Sequence, residues 1–431
     1  MPLSRPTIPT DLIAPLFAPP TFAHPEVIDT LLERLRLDYP LAVAEVPGFD
    51  PYWIVTRYHD IQEISRRDDI FHSADRPKTL VNQGGEALMR QYSGGAPHIF
   101  QSLVQMDPPM HTAYRAVTEP AFRPKAVGAI IDRIRVIAKA HVDKLAALAP
   151  ACDFAVDIAF GYPADVVLSL VGVPQEDHAR LVELTHWLFS YADPHLMRPG
   201  ADLTNPAEHI KTWTIVYEEF REYFAKVTAD RRACPQDDIA SLIANAEIDG
   251  CPMTERALIS YYIILSTAGH DTTAATTAMG MWLLAKRPDL LARLKAQPHD
   301  ISRFVEEAIR WTTPVKHFVR SAAQDYDLAG QHIAKGDLLY LSFASANRDE
   351  TVFDDPFCFN IDRNPNRHLA FGFGDHVCIG QHLARLEMRI FWEELIPRLR
   401  SVTAAGDIKI SESEFVSGPK SMPIAFEMEV I

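Results

Sequence analysis

Phe371-Gly372-Phe373-Gly374-Asp375-His376-Val377-Cys378-Ile379-Gly380 is the stretch that decides the fold. A single cysteine is framed by three glycines, with a phenylalanine at the start and a histidine two places upstream. The following segment, Gln381 to Arg389, contains neither Gly nor Pro and is predicted to be helical. The Cys378 thiolate is therefore expected at a helix N-terminus, where unpaired amide N–H groups and the helix dipole stabilise negative charge. The glycines supply turn conformations that a Cβ forbids, and let backbone pass close to something flat and bulky. A buried free cysteine beside a Gly-rich turn is the plain alternative, but it does not require so many positions to be specified together.

A thiolate on an open loop, with amides aimed at the sulfur, is a way to ligate haem iron. The decapeptide resembles the haem-binding loop of the cytochrome P-450 family, which runs Phe, two residues, Gly, three residues, Cys, one residue, Gly. Phe371, Gly374, Cys378 and Gly380 fill those places, and His376 takes the usual basic position. The resemblance implies a mainly α fold with a small β region, forming one triangular, prism-shaped domain over residues 1–431. Haem b (iron protoporphyrin IX) would lie between a long central helix and the cysteine loop with its helix. Cys378 would be the axial iron ligand, with Phe371, Gly372 and Gly380 beside the cofactor.

Composition agrees with this expectation. In 431 residues, 47% are hydrophobic and 23% charged, as in a globular protein with ample core. A net charge of −15 disfavours nucleic acid or an anionic membrane as the main partner. The five cysteines, Cys152, Cys234, Cys251, Cys358 and Cys378, form no CxxC pair and suggest reduced thiols in a cytoplasmic protein. No window approaches the ~20 apolar residues needed to span a bilayer. That points to the bacterial type of the family, without a membrane anchor.

Apolar periodicity predicts helices over Glu26–Leu37, Pro124–Ala149, Glu176–Tyr191, Ala207–Arg232, Thr254–Arg287 and His299–Trp311. Strand signals are Tyr52–Thr56 and Leu338–Phe343, placing a minor β region around 52–58 and 315–345. Two long irregular stretches, Asp75–Met106 and Ala346–Phe373, are expected over a substrate pocket and under a cofactor. The helix from Thr254 to Arg287 would be roughly 50 Å long, yet its centre reads Ser266-Thr267-Ala268-Gly269-His270-Asp271-Thr272-Thr273. Mid-helix Gly and clustered Thr are poor helix formers, so the ladder is expected to open there and admit water or a hydroxyl. Asp271 beside Thr272 can relay protons to bound oxygen. The segment looks like the family's oxygen-binding motif, with Ala268, Gly269, Asp271 and Thr272 at the matching positions; plain helix packing is the alternative.

Glu307 and Arg310 share a helix face at i, i+3. The resemblance makes them, with Arg363, a structural triad beneath the haem. By the same resemblance His111, Arg115, Arg320 and His376 hold the haem propionates, and Arg115, Arg123, Lys125, Arg385 and Arg389 fall around the cysteine side, where a basic patch would suit an acidic electron donor.

The resemblance spans Tyr52 to Pro423. The stretches Ser93–His98, Met106–Arg115, Arg310–Lys316 and Asn366–Gly372 look like the bacterial members that oxidise the monoterpene alcohol α-terpineol, whose electrons come from an iron-sulfur ferredoxin served by an NAD(P)H-dependent reductase. The expected activity is insertion of one oxygen atom of O2 into a small hydrophobic substrate. By position, its pocket draws on Phe100, Leu103, Trp187, Phe189, Ile264, Thr267, Ala268, Val315, Phe318, Val319 and Phe415, each of which could equally be core. An aromatic hydrocarbon substrate, and a non-catalytic haem-thiolate sensor, stay open as alternatives.

Overall fold

The structure, a computed structural model, describes residues 5–203, 205 and 207–429. Helices dominate, and the predicted ones recur with edges set by local chemistry. Pro25–Asp38, Glu208–Ala233 and Ile301–Thr312 appear nearly as expected. In the last, Ile301, Phe304, Val305, Ala308, Ile309 and Thr312 are buried at the three- and four-residue spacing of one helix face. Pro124–Ala149 divides into Pro124–Ala129 and Ile131–Ala147, and Glu176–Tyr191 begins with a 3₁₀ turn before His178–Phe189. Asp75–Met106, expected to be irregular, carries a helix at Gln83–Tyr92, capped by Asn82 accepting from Gly85 N. Ala346–Phe373 is irregular beyond Ala346, as expected.

The β structure is larger than the sequence suggested. A six-stranded sheet runs Thr7–Ile8, Leu41–Ala44, Tyr52–Val55, Leu338–Ser342, His317–Ala322, Phe71–His72. Its two central strands are parallel, with Ile54 opposite Tyr340. Both faces are covered: Trp53, Val55, Leu339 and Leu341 enter one core, and Tyr52, Ile54, Leu338 and Tyr340 enter another. That is why these strands are continuously apolar rather than alternating. Leu399–Ala404, Pro423–Met428 and Ala151–Asp153 form a second sheet, and the hairpin Lys409–Ile410 with Pro419–Ser421 sits apart. The largest core lies among the helices. Among the described residues, no helix is long and apolar enough to cross a membrane.

Candidate active site

The cysteine loop is folded by its own backbone. Gly372 N donates to Leu369 O at 2.9 Å, Val377 N to Gly374 O at 3.0 Å, and Cys378 N to Phe371 O at 2.8 Å. Gly374 has φ +70°, and a Cβ there would stand 1.8 Å from the Ser65 carbonyl oxygen. That glycine is thus demanded by packing on the helix Tyr58–Ser65, not by a ligand. The helix after the cysteine runs Gln381–Leu395. Burial raises the Cys378 thiol pKa, while the amides of Gly380 and Gln381 and the charges of Arg115 and Arg385 pull it down. Coordination to a metal ion would remove that proton outright.

Cys378 opens on a cavity of about 1500 Å³. The opposite wall is the predicted break: the helix splits into Glu255–Ala268 and Asp271–Lys286, with Gly269 and His270 between them. Thr272 Oγ1 donates to Ala268 O at 2.8 Å, filling part of the opened ladder. A Cβ on Gly269 would meet Val167 Cγ2 at 3.0 Å, so its smallness serves packing on the neighbouring helix Gly161–Val171. Ala268 and Thr272 face the cysteine cavity, but Asp271 does not border it. Its Oδ1 lies 3.1 Å from His270 Nδ1 and 3.5 Å from His186 Nε2, beside a separate cavity of about 330 Å³. The acid and the alcohol are therefore on different walls of the break. His270 is fully buried, which pushes its pKa down to about 4.

One end of the large cavity is cationic. His111, Arg115, Arg320 and His376 all line it, and the two imidazole centroids are 4.1 Å apart. Burial, then Arg320, Lys78, His111 and Arg115, lower the His376 pKa far below its usual range. Lys78, missed by sequence reasoning, is buried next to this end without lining the cavity, with Nζ donating to Ser73 Oγ at 2.8 Å and to Val319 O at 3.2 Å. Its surroundings of Pro77 and Thr79 gave no signal. Neither Arg320 nor Lys78 forms an ion pair among the described residues. Asp107 acts on both only from beyond contact distance, so an anion beside these buried cations is favoured, and the two propionates of haem would meet it. With Cys378 facing a roomy apolar cavity, the residues fit haem.

Beneath the loop, Arg310 donates to Glu307 at 2.8 and 2.7 Å and to the Asn347 and Pro356 carbonyls at 2.8 and 3.0 Å. Arg363 Nε reaches Glu307 at 3.4 Å. Asn360 N and Asn366 Nδ2 also donate to this carboxylate, at 2.9 and 3.0 Å. Glu306, unnoticed in the sequence, binds Arg385 at 2.8 and 2.9 Å and lies 3.1 Å from His368 Nε2. The Arg385 guanidinium lies 4.4 Å from the centroid of the Phe371 ring. The expected basic patch is partly neutralised: Arg115 and Arg123 share Glu119, and Arg389 pairs with Glu393.

A second cavity, about 1130 Å³, shares Ile264, Ala268, Thr272, Val315 and Phe318 with the first. Phe100, Phe189, Thr267 and Phe415 also line it, and Leu103 lines the first. Trp187 and Val319 line neither. Trp187 is buried in the helical core with the Arg180 guanidinium 4.8 Å from its ring centroid. Val319 lies between Phe318 and Arg320 on a strand, so its side chain takes the opposite sheet face and packs with Tyr340. Sequence reasoning missed Glu414, Tyr191, Trp213 and Met89 on this wall. Phe415 arrives there because Lys316 N donates to its carbonyl at 2.9 Å, a non-local pairing.

A cysteine on a cavity wall, facing a broken helix and flanked by an anion-seeking cluster, defines a haem-thiolate protein. The chain belongs to the Cytochrome P450 family, whose sequence model matches residues 47–299 and 301–426. It is 42% identical to Cytochrome P450-terp of a Pseudomonas species over 98% of this chain and 99% of that one. It is 30% identical to Linalool 8-monooxygenase of Pseudomonas putida, over 93% and 95%. Among solved structures, CYP108D1 from Novosphingobium aromaticivorans superposes with a TM-score of 0.90 at 38% identity, covering 98% of this chain and all of that one. The Mycobacterium marinum cytochrome P450 in complex with pseudoionone gives 0.87 at 31%, with the same coverage. The protein is a cytochrome P450 monooxygenase with haem b as its cofactor and a cysteine thiolate as iron ligand. O2 and a hydrophobic substrate are its reactants.

Proposed function

We propose that this monooxygenase hydroxylates a small substrate of the monoterpene class, in the cytoplasm, as a single domain spanning residues 1–431. Electrons would come from an iron-sulfur ferredoxin and its NAD(P)H-dependent reductase. The apolar cavity joined to the cysteine cavity carries this assignment: its Phe100, Phe189, Ile264, Val315, Phe318 and Phe415 lining suits a compact hydrocarbon. The names of two relatives, Cytochrome P450-terp and Linalool 8-monooxygenase, support it.

When bound, haem supplies the reductive activation of O2. Cys378 would ligate it, while Lys78, His111, Arg115, Arg320 and His376 would hold its carboxylates. Ala268 and Thr272 border both cavities, and oxygen and substrate would meet beside them. Each turnover consumes two protons, and Asp271, beside His186 and His270, would collect them. Rotation of its side chain toward Thr272 would pass each proton to the cavity. The phenylalanines fix one C–H bond near the reacting centre, a positional contribution to specificity.

Four phenylalanines on one wall also suit an alkylbenzene. Titrating the ferric holoprotein with monoterpenes and alkylbenzenes separates the two, because a fitting compound displaces iron-bound water and shifts the absorption to high spin. Terpenes should give the larger shift and be hydroxylated with a ferredoxin system. Shifts and products from alkylbenzenes alone would overturn the terpene assignment.

A further inference from the structure

The substrate cavity has one polar feature that an apolar cargo does not explain. Glu414 is 4% exposed and borders the cavity together with Tyr191, Trp213, Met89 and Val81. Tyr191 Oη donates to its Oε1 at 2.9 Å. Its Oε2 is buried without a hydrogen-bond partner among the described residues. The other buried polar side chains of this wall are engaged: Lys78 with Ser73, Ser102 with Gln105, Thr267 with Ile263 O, Trp213 with Leu188 O. Among the lining residues, Glu414 alone has a buried side-chain atom with no partner; with Val81, Tyr191 and Trp213 it stands between this cavity and an adjoining one lined by Asn82, His209 and Thr212.

Its position is fixed from outside. The Glu414 carbonyl accepts from His317 Nδ1 at 3.0 Å, and His317 Nε2 accepts from Leu80 N at 3.2 Å. The next residue, Phe415, is held by Lys316 N. Burial raises the Glu414 pKa, while the hydrogen bonds from its own backbone and from Tyr191 pull it down, and no cation is among its perturbing neighbours. Since Tyr191 occupies Oε1, Oε2 is the oxygen left to share a hydrogen bond with a ligand hydroxyl. A buried polar atom left without a partner is costly, and a substrate hydroxyl would relieve that.

Resting on the monoterpene assignment above, we propose that Glu414 and Tyr191 form a recognition site for a neutral hydroxyl oxygen on the substrate. Glu414 Oε2 shares a hydrogen bond with that hydroxyl, at a wall distinct from the Ala268, Thr272 and Val315 segment shared with the cysteine cavity. The preferred substrate is therefore a small hydrocarbon already carrying one alcohol, oxidised at a carbon away from it. An earlier hydration or hydroxylation reaction must supply such a compound.

Two matched pairs test this by optical titration of the ferric holoprotein: α-terpineol against p-menth-1-ene, and 2-phenylpropan-2-ol against cumene. The wild type should bind each alcohol about tenfold more tightly than its hydrocarbon, the worth of one buried neutral hydrogen bond. In E414L that ratio should fall about tenfold, with hydrocarbon binding retained, while E414Q, which keeps a donor, should preserve most of it. An intact long-wavelength carbon monoxide spectrum shows that each variant is loaded and folded. An undiminished alcohol preference in E414L, or none in the wild type, overturns the proposal. Alcohol selectivity confined to the benzene pair would refute the terpene assignment and leave Glu414 its role. Terpene binding without alcohol selectivity would do the reverse, and silence from all four compounds would sink both.

Discussion

Thr272 commits its hydroxyl to the Ala268 carbonyl at the break in the central helix, while its neighbour Asp271 faces His186 and His270. Substituting them should therefore have different consequences. Thr272→Ala should leave haem content and substrate-induced spectral shift intact but divert reductant to hydrogen peroxide, lowering coupling several-fold. Stoichiometric product per NAD(P)H in that variant would rule out its part in proton handling. Asp271→Asn should slow turnover about 100-fold with substrate affinity unchanged, within the usual range for a general acid. A larger solvent deuterium isotope effect should accompany it, and an unaltered rate would remove Asp271 from the path.

At the scale of elements, the cysteine loop is locked to the helix Ile301–Thr312 by two adjacent carboxylates. Glu307 is fully buried and binds Arg310 and Arg363, so Glu307→Ala strands buried cations, a loss of ~3–5 kcal/mol. Purified protein should then carry little haem, measurable as the Soret to protein absorbance ratio. Despite burial, Arg385 and His368 hold the Glu306 carboxyl down to about 2. A depressed acid stabilises the fold fully above its ordinary pKa of 4.5, and that contribution disappears as pH falls toward 2. Glu306→Gln should therefore cost up to about 3 kcal/mol near neutrality and flatten the pH dependence of stability between those limits. The substrate-side hairpin has a steric lock of its own, since a Cβ on Gly418 would approach Ala275 Cβ to 2.3 Å. Gly418→Ala should lift the hairpin off the helix Asp271–Lys286 and weaken substrate binding more than haem binding.

Across the whole molecule, buried histidines set the response to acid. Burial lowers the pKa of His98 and His270 to about 4 and of His317 to about 3. Each is neutral when folded and takes up a proton on unfolding anywhere between those values and about 6.5. Stability therefore rises with pH through that window and is lost on acidification, by several kcal/mol in aggregate. Denaturant midpoints of the holoprotein should drop steeply from pH 6.5 to 4, and His317→Gln, which can retain ring-like hydrogen bonds, should soften the slope. A flat profile would mean these rings reach water before the fold opens.

Much of the site was legible because local spacing carries it. Cys378, its loop and the helix that follows are encoded within the contiguous stretch Phe371–Leu395, and the break at Gly269 is a property of helix propensity. Glu307 and Arg310 share a face at i, i+3, which is likewise local. Reading failed where the third dimension chooses between equivalent options. Asp271 could have faced either wall of the break; His186, from another helix, drew it away from the cysteine cavity. Val319 and Phe318 are both apolar, and only strand register decided which reaches the pocket. Lys78 and Glu414 look like ordinary surface charges in the chain, yet folding buries both beside the ligand space. The sequence alone determined the cysteine loop, the helical architecture and the place where the central helix opens, because nearest-neighbour geometry specifies them. Only tertiary structure decided which charges are buried and which side chains line the cavities, because contacts between segments hundreds of residues apart leave no local pattern.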